Sequence, residues 1–313
     1  MVASKRTAAW LSISKELNHI IDLMVERGSV FSRVSLIDIL NELKHTKILR
    51  GSYGYGTFLN TLIELDVLEK VTIILPNHSI TSRYALKKGI STSVHPFEVA
   101  LSLLPGSYLS HYSALFLNDL INNVPKDIYI NREQSKKPID PDNTLTQKKI
   151  DYAFNRPMRK TNQIALFSYN GQEYRVHMLN GKHTNNLGVV NRKNPFLSRK
   201  VRVTNLERTI IDCVVRPNYA GGPDEISVAF SNAANELSVN RLTGYLAELD
   251  YRYPYQNCVA FYMILTDYKE NSLKLIRPLI DREFTMYIGY QLLNKKIHLG
   301  SNTYYPGRFS LND

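Results

Sequence analysis

The sequence predicts an α+β fold: an N-terminal winged helix-turn-helix over residues 1–90, then a mixed α/β domain over residues 91–313. Three observations lead there. Short helical periodicities precede two β-rich runs in the first ninety residues, a polar turn-forming stretch follows, and the remainder mixes strand-like and helical patterns. A length of 313 residues accommodates about two domains. With 43% hydrophobic and 21% charged residues the chain has enough apolar material for a core, which excludes a disordered or fibrous protein.

Over residues 4–26, Ile13, Leu17, Ile20, Ile21 and Met24 recur at spacings of three and four, one face of a helix, and Gly28 ends it. A second helix is expected from Ser32 or Ser35 as cap, carrying Leu36, Ile39, Leu40 and Leu43. The glycines 51, 54 and 56 mark a turn, after which Phe58, Leu59, Leu62, Ile63 and Leu65 line a third helix. Residues 68–75 and 80–86 are β-rich around Pro76-Asn77-His78-Ser79 and predict a hairpin. In a winged helix-turn-helix the third helix enters the major groove of DNA. Ser52, Tyr53, Tyr55, Thr57, Asn60 and Thr61 then supply groups for base edges or phosphates, and Lys44, Lys47, Arg50 and Arg83 hold phosphates. A winged helix used for protein contacts and a simple helical subdomain whose polar face meets solvent are the alternative readings of the same pattern.

Residues 87–96 are polar and turn-rich, the expected domain boundary. Beyond them the patterns predict a helix over 97–104, an extended Tyr108-Leu109, a helix capped by Ser110 and running through Leu120, a strand over 127–130 and a loop over 134–146. Residues 163–169 and 173–179 flank Asn170-Gly171, a strong hairpin signal. Short strands are expected at 188–190 and 200–203, and helices over 227–236 and 240–249. Residues 268–313 carry no assignment. The longest apolar runs, 71–75 and 259–265, are strand-sized, far short of the ~18 residues of a membrane span. The N-terminus lacks the apolar block of a signal peptide. Cys213 and Cys258 give no zinc pattern, redox pair or disulfide framework. A cytoplasmic protein is expected.

The net charge of +11 is unevenly spread along the chain: +4 in residues 1–90, +7 in 91–200 and zero in 201–313. Residues 126–200 alone hold 15 basic and 6 acidic groups. Lys148, Lys149, Arg156, Arg159, Lys160, Arg192, Lys193, Arg199 and Lys200 are therefore expected to form a basic surface of the second domain, suited to a polyanion, most commonly nucleic acid, or to an acidic protein.

Two blocks carry a family resemblance. Tyr108-Leu109-Ser110-His111-Tyr112-Ser113-Ala114-Leu115, with residues 127–130 after it, resembles the opening of the second domain of the AbiEi family, the antitoxins of type IV toxin–antitoxin systems in abortive infection. Val203-Thr204-Asn205-Leu206-Glu207-Arg208-Thr209-Ile210-Ile211-Asp212, followed by Pro217 and Gly221-Gly222, resembles that family's Glu-Arg-Thr-x-x-Asp helix and Gly-Gly turn. The match spans roughly residues 5–250. Asn118-Asp119-Leu120 replaces an expected His-Gly-Leu, residues 131–160 look inserted, and 268–313 match nothing. Independently of the family, Thr204 or Asn205 can cap a helix in which Glu207 favours the N-terminal dipole and Arg208 pairs with Asp212 at i, i+4, a structural role.

No Glu-x-Lys nuclease strand, Walker loop, His-Glu-x-x-His or Gly-x-Ser-x-Gly occurs, and the eight histidines, His177 and His183 included, form no metal pattern. Nor does the Gly-Ser and Asp-x-Asp signature of a nucleotidyltransferase toxin. The expectation is a non-enzymatic protein without cofactor or metal. By resemblance it is an antitoxin and autorepressor whose partners are double-stranded promoter DNA with inverted repeats and, functionally, a cognate AbiEii-type nucleotidyltransferase toxin. A nuclease whose carboxylates assemble only on folding and a ligand-sensing transcription factor are the rival readings.

Overall fold

The computed structural model describes residues 8–136 and 144–290, with the backbone of 297–299 and 302–304. In chain order it forms α1 (Ala8–Lys15), α2 (Leu17–Arg27), β1 (Val30–Phe31), α3 (Arg33–His45), α4 (Tyr55–Glu64), β2 (Leu68–Ile74), β3 (Ile80–Leu86), α5 (Pro96–Leu101), β4 (Tyr108–Leu109), α6 (His111–Leu117) and β5 (Asp127–Glu133). Then come α7 (Gln147–Phe154), β6 (Ile164–Tyr169), β7 (Gln172–Gly181), β8 (Val189–Arg192), β9 (Val201–Thr204), α8 (Leu206–Val215), α9 (Pro223–Ala233), α10 (Val239–Leu249), α11 (Tyr255–Leu265), α12 (Glu270–Ile276), β10 (Ile297–Leu299) and β11 (Asn302–Tyr304). The architecture is mixed α/β. Among the described residues no helix is long and apolar enough to cross a membrane.

The chain divides into two compact units: residues 1–106 with 163–176 and 192–201, and residues 107–162 with 177–191 and 202–313. In the first unit, the apolar stripe expected of one helix over 4–26 belongs to two, because Glu16 (φ −92°, ψ 13°) leaves the helical path; residues 4–7 lie outside the described residues. Ser32 caps α3 reciprocally: Ser35 N–H donates to its Oγ at 3.2 Å and its own N–H donates to Ser35 Oγ at 2.8 Å. Such a cap is worth about 1 kcal/mol. Ile13, Ile20, Met24, Leu36, Leu43, Phe58 and Leu62 close the core between these helices. Each fully buried side chain of this size contributes roughly 1.5–3 kcal/mol.

The strands of this unit run β1-β3-β2-β6-β7, antiparallel at β1/β3, β3/β2 and β2/β6, with Phe31 opposite Tyr84, Val71 opposite Arg83 and Ile73 opposite Phe167. At Ile73 and Ile74 the open edge that the β2–β3 hairpin would otherwise expose is paired with β6. The unit also reaches past residue 90. Glu98, only 5% exposed, accepts from Ser29 Oγ at 2.8 Å, His95 N at 2.8 Å, and both the N (3.2 Å) and Oγ of Ser198. These bonds hold α5 and the 192–201 loop in the first unit. Gly89, at φ +78°, passes so close to Ile21 that a Cβ would lie 2.3 Å from its Cγ2.

In the second unit the order is β7-β5-β4-β9-β8, with Leu109 antiparallel to Ile130 and parallel to Val203. Its helical core gathers Ile210, Ile211, Phe230, Leu242, Val259, Tyr262 and Met263. The strand-sized apolar run 259–265 is the greater part of helix α11. Apolar side chains on nearly every side erase the periodicity that separates a helix from a strand. α6 ends at Leu117, short of the expected Leu120, where the Asn118 amide donates to Ala114 O (2.8 Å), Thr204 O (3.1 Å) and Thr209 Oγ1 (3.1 Å). α5 likewise ends at Leu101, not 104. The stretch read as an insertion contains α7, whose Thr146 cap accepts from Lys149 N; residues 137–143 of the expected loop lie outside the described residues. The unassigned C-terminal stretch contributes α12.

Candidate nucleic-acid interface and a buried polar network

In the first unit, the α3–α4 turn exposes Arg50, Ser52 and Lys47, the last in the left-handed region at φ 60°, while Lys44 is half-buried. Thr57 and Asn60 face outward on α4, one turn apart. Tyr53 and Tyr55 pack partly against the core. Burial pushes the Tyr55 phenol up to about 12. The Arg33 guanidinium lies 5.4 Å from the centre of the Tyr55 ring, a cation–π distance. Arg33 is exposed and directly follows the Ser32 cap. Sequence reasoning missed it because a lone arginine after a cap has no pattern of its own.

Two expected contacts are corrected. Thr61 is 3% exposed, and its hydroxyl donates back to Thr57 O at 2.8 Å, so it has no face for a ligand. Arg83 donates from Nε (3.3 Å) and Nη2 (3.2 Å) to Ser102 O and from Nη1 to Ser82 O at 3.0 Å; burial lowers its pKa. The guanidinium ties the hairpin to the end of α5.

The basic surface expected of the second domain separates into two sets. Lys148, Lys149, Arg156, Arg159 and Lys160 are exposed in the second unit, where Lys149 Nζ donates to Thr144 O at 2.7 Å and Arg156 stacks 3.9 Å from the Tyr152 ring centre. Lys193, Arg199 and Lys200 are exposed and Arg192 half-buried, all four in the first unit. By sequence content the first unit carries 17 Lys+Arg and 10 Asp+Glu, the second 22 and 18. The larger excess, +7, thus belongs to the smaller unit.

The Glu-Arg-Thr-x-x-Asp helix builds a buried clamp in the second unit. Asn205 caps α8 by accepting from Arg208 N at 3.1 Å. Arg208 Nε donates to Asp212 Oδ1 at 2.8 Å, with both side chains nearly inaccessible at 3% and 6%. The surface value of an i, i+4 pair therefore does not apply. Arg208 Nη1 reaches Thr184 Oγ1 (3.0 Å) and Leu187 O (2.7 Å), and Glu133 accepts from the N (2.8 Å) and Oγ1 of Thr184 and from Asn186 N (3.2 Å). Together they pin residues 184–187. Glu207 stands in the first turn of α8, as expected, and is also buried, accepting from Ser238 N (3.1 Å) and Arg241 Nη1 (3.2 Å) and so joining α8 to α10. Asp212 Oδ2 is buried without a hydrogen bond.

His111, buried at φ 50°, is lowered to about 4 by desolvation and bonds Ser110 Oγ at 2.9 Å. His177 bonds Asp127 at 2.7 Å and stacks on Tyr129 with centroids 4.7 Å apart; His183 lies 3.8 Å from Glu133. Among the described residues, no group of three or more His, Cys, Asp or Glu side chains is placed to hold a metal ion.

No protein-family model and no curated protein matches the chain. Among solved structures, the chain is similar to the Rv2827c protein of Mycobacterium tuberculosis, with a TM-score of 0.50 and 13% identity over 91% of this chain and 86% of that one. The likeness is one of fold.

Proposed function

We propose that the chain is a DNA-binding transcriptional autorepressor and the antitoxin of a type IV pair, counteracting a nucleotidyltransferase toxin. The observation that carries the DNA-binding part is the exposed polar and basic face formed by Lys47, Arg50, Ser52, Thr57 and Asn60 along α4 and the turn before it. The order α2-β1-α3-α4-β2-β3, with strands arranged β1-β3-β2, supports a winged helix-turn-helix. On that reading α4 enters the major groove, Asn60 and Thr57 meet base edges, and Lys47 and Arg50 meet phosphates. Arg33, held over Tyr55, adds a phosphate contact. The two blocks resembling AbiEi, of which the Glu-Arg-Thr-x-x-Asp helix holds residues 184–187, support the antitoxin part.

The test is genetic and biochemical. The adjacent reading frame should encode a nucleotidyltransferase with paired aspartates whose expression halts growth, and co-expression of the full chain should restore it. Unrelieved toxicity, with both proteins expressed, would remove the antitoxin assignment and leave a repressor.

A further inference from the structure

We infer that residues 192–201 form a second duplex-binding surface on the first unit, with Lys193, Arg199 and Lys200, and Arg192 beside them, holding phosphates that flank the segment read by α4. The inference rests on the proposed DNA binding. In sequence these residues precede β9 and count toward the second domain; their contacts assign them to the other unit.

The loop is anchored by its uncharged residues and by two of its cations, Lys193 Nζ donating to Leu197 O within the loop and Arg199 to the end of α2. Asn194 and Leu197 are buried, Ser198 is bonded to Glu98, Thr92 Oγ1 donates to Pro195 O at 3.4 Å, and the Phe196 ring lies 5.0 Å from that of His95. Glu98 takes its hydrogen bonds from Ser29, His95 and Ser198. Four cations and no acid thus occupy ten residues of a docked segment. Holding them in place before binding avoids the cost of ordering them on association.

The location suits one duplex. Arg199 Nη1 donates to Arg27 O at 3.4 Å, at the end of α2. Six residues further along the chain is Arg33, over the first residue of α4. Six residues span at most ~20 Å, less than a helical turn of DNA at ~34 Å. An acidic protein is the weaker fit. A protein interface needs buried apolar or aromatic anchors, whereas this loop turns Leu197 inward and packs Phe196 beside His95. A phosphate backbone asks only for cations.

The experiment is equilibrium anisotropy of the full chain on a duplex of about 40 base pairs taken from immediately upstream of its reading frame, across a salt series. Replacing Arg192, Lys193, Arg199 and Lys200 together by glutamine should reduce the magnitude of the log–log salt slope by ~2–4, about 0.9 per lost contact, while leaving the preference for promoter over shuffled duplex intact. Lys193→Gln and Lys200→Gln singly should each remove ~1, which keeps the test open if the fourfold variant does not fold. A slope unchanged in a folded variant, or a loss confined to binding of an acidic protein, overturns the inference. Absence of DNA binding by the unmodified chain overturns the proposed function itself, a distinguishable result.

Discussion

Replacing Arg208 by alanine strands Asp212 in a buried site without its cation. The expected cost is about 3–5 kcal/mol of unfolding free energy, as for other broken buried pairs, read as a shift of the urea midpoint. A loss under ~1 kcal/mol would mean that the pair behaves as an exposed one. His111 gives a pH test whose sign follows from its burial. The folded protein keeps the ring neutral down to about 4, while the unfolded chain takes up a proton near 6.5. Its contribution is therefore complete above pH 6.5 and declines as pH falls toward 4, by about 2 kcal/mol between pH 7.5 and 5. His111→Asn, which tolerates the positive φ, should lose less stability over that interval than the wild type in parallel denaturation curves. Neighbouring positions separate function from packing: Asn60→Ala should shift base preference at one position by about 1–3 kcal/mol, whereas Thr61→Ala should leave preference unchanged in competition binding. The amphipathic spacing of Phe58 and Leu62 already implied a buried side for α4. Which of two adjacent polar residues falls on that side, and that Thr61 returns its hydroxyl to the helix, depends on helix phase and on neighbours distant in sequence. The Glu98 node is invisible in sequence, since its donors are separated from it by up to 100 positions.

At the scale of elements, the β2–β3 hairpin is stiffened along one side by β6. Phe167, 4% exposed and opposite Ile73, fills that join. Phe167→Ala should cost about 3–5 kcal/mol and speed amide exchange in β2 more than in α3; uniform exchange would argue that the hairpin stands without β6. Both hairpins were readable from alternation and from their turns, because strand period and turn chemistry are local. The pairing of β2 with β6, across ninety residues, has no local signature. A serine cap at position 32 or 35 was readable for the same local reason, the structure placing it at Ser32, and α11 was not, because an almost wholly apolar helix has no polar face to announce its period.

The whole molecule interleaves its two units along the chain, so a boundary drawn at residue 90 from a polar, turn-rich stretch separates segments that pack together. Charge shows the consequence. Counted along the sequence, the excess lies in residues 126–200; grouped by unit, +7 belongs to the unit that holds α4. Tertiary contacts, not composition, decide which cations act together. On the proposed function, this unit binds duplex DNA through α4 and the surrounding cations. The most direct test is the affinity of the full chain for the duplex upstream of its reading frame, measured beside a shuffled duplex between ~50 and ~200 mM salt. With at least four to six phosphate contacts the claim predicts tighter binding to the promoter and a log–log slope of about −4 or steeper. Equal affinity for both duplexes, or a flat response to salt, would contradict it.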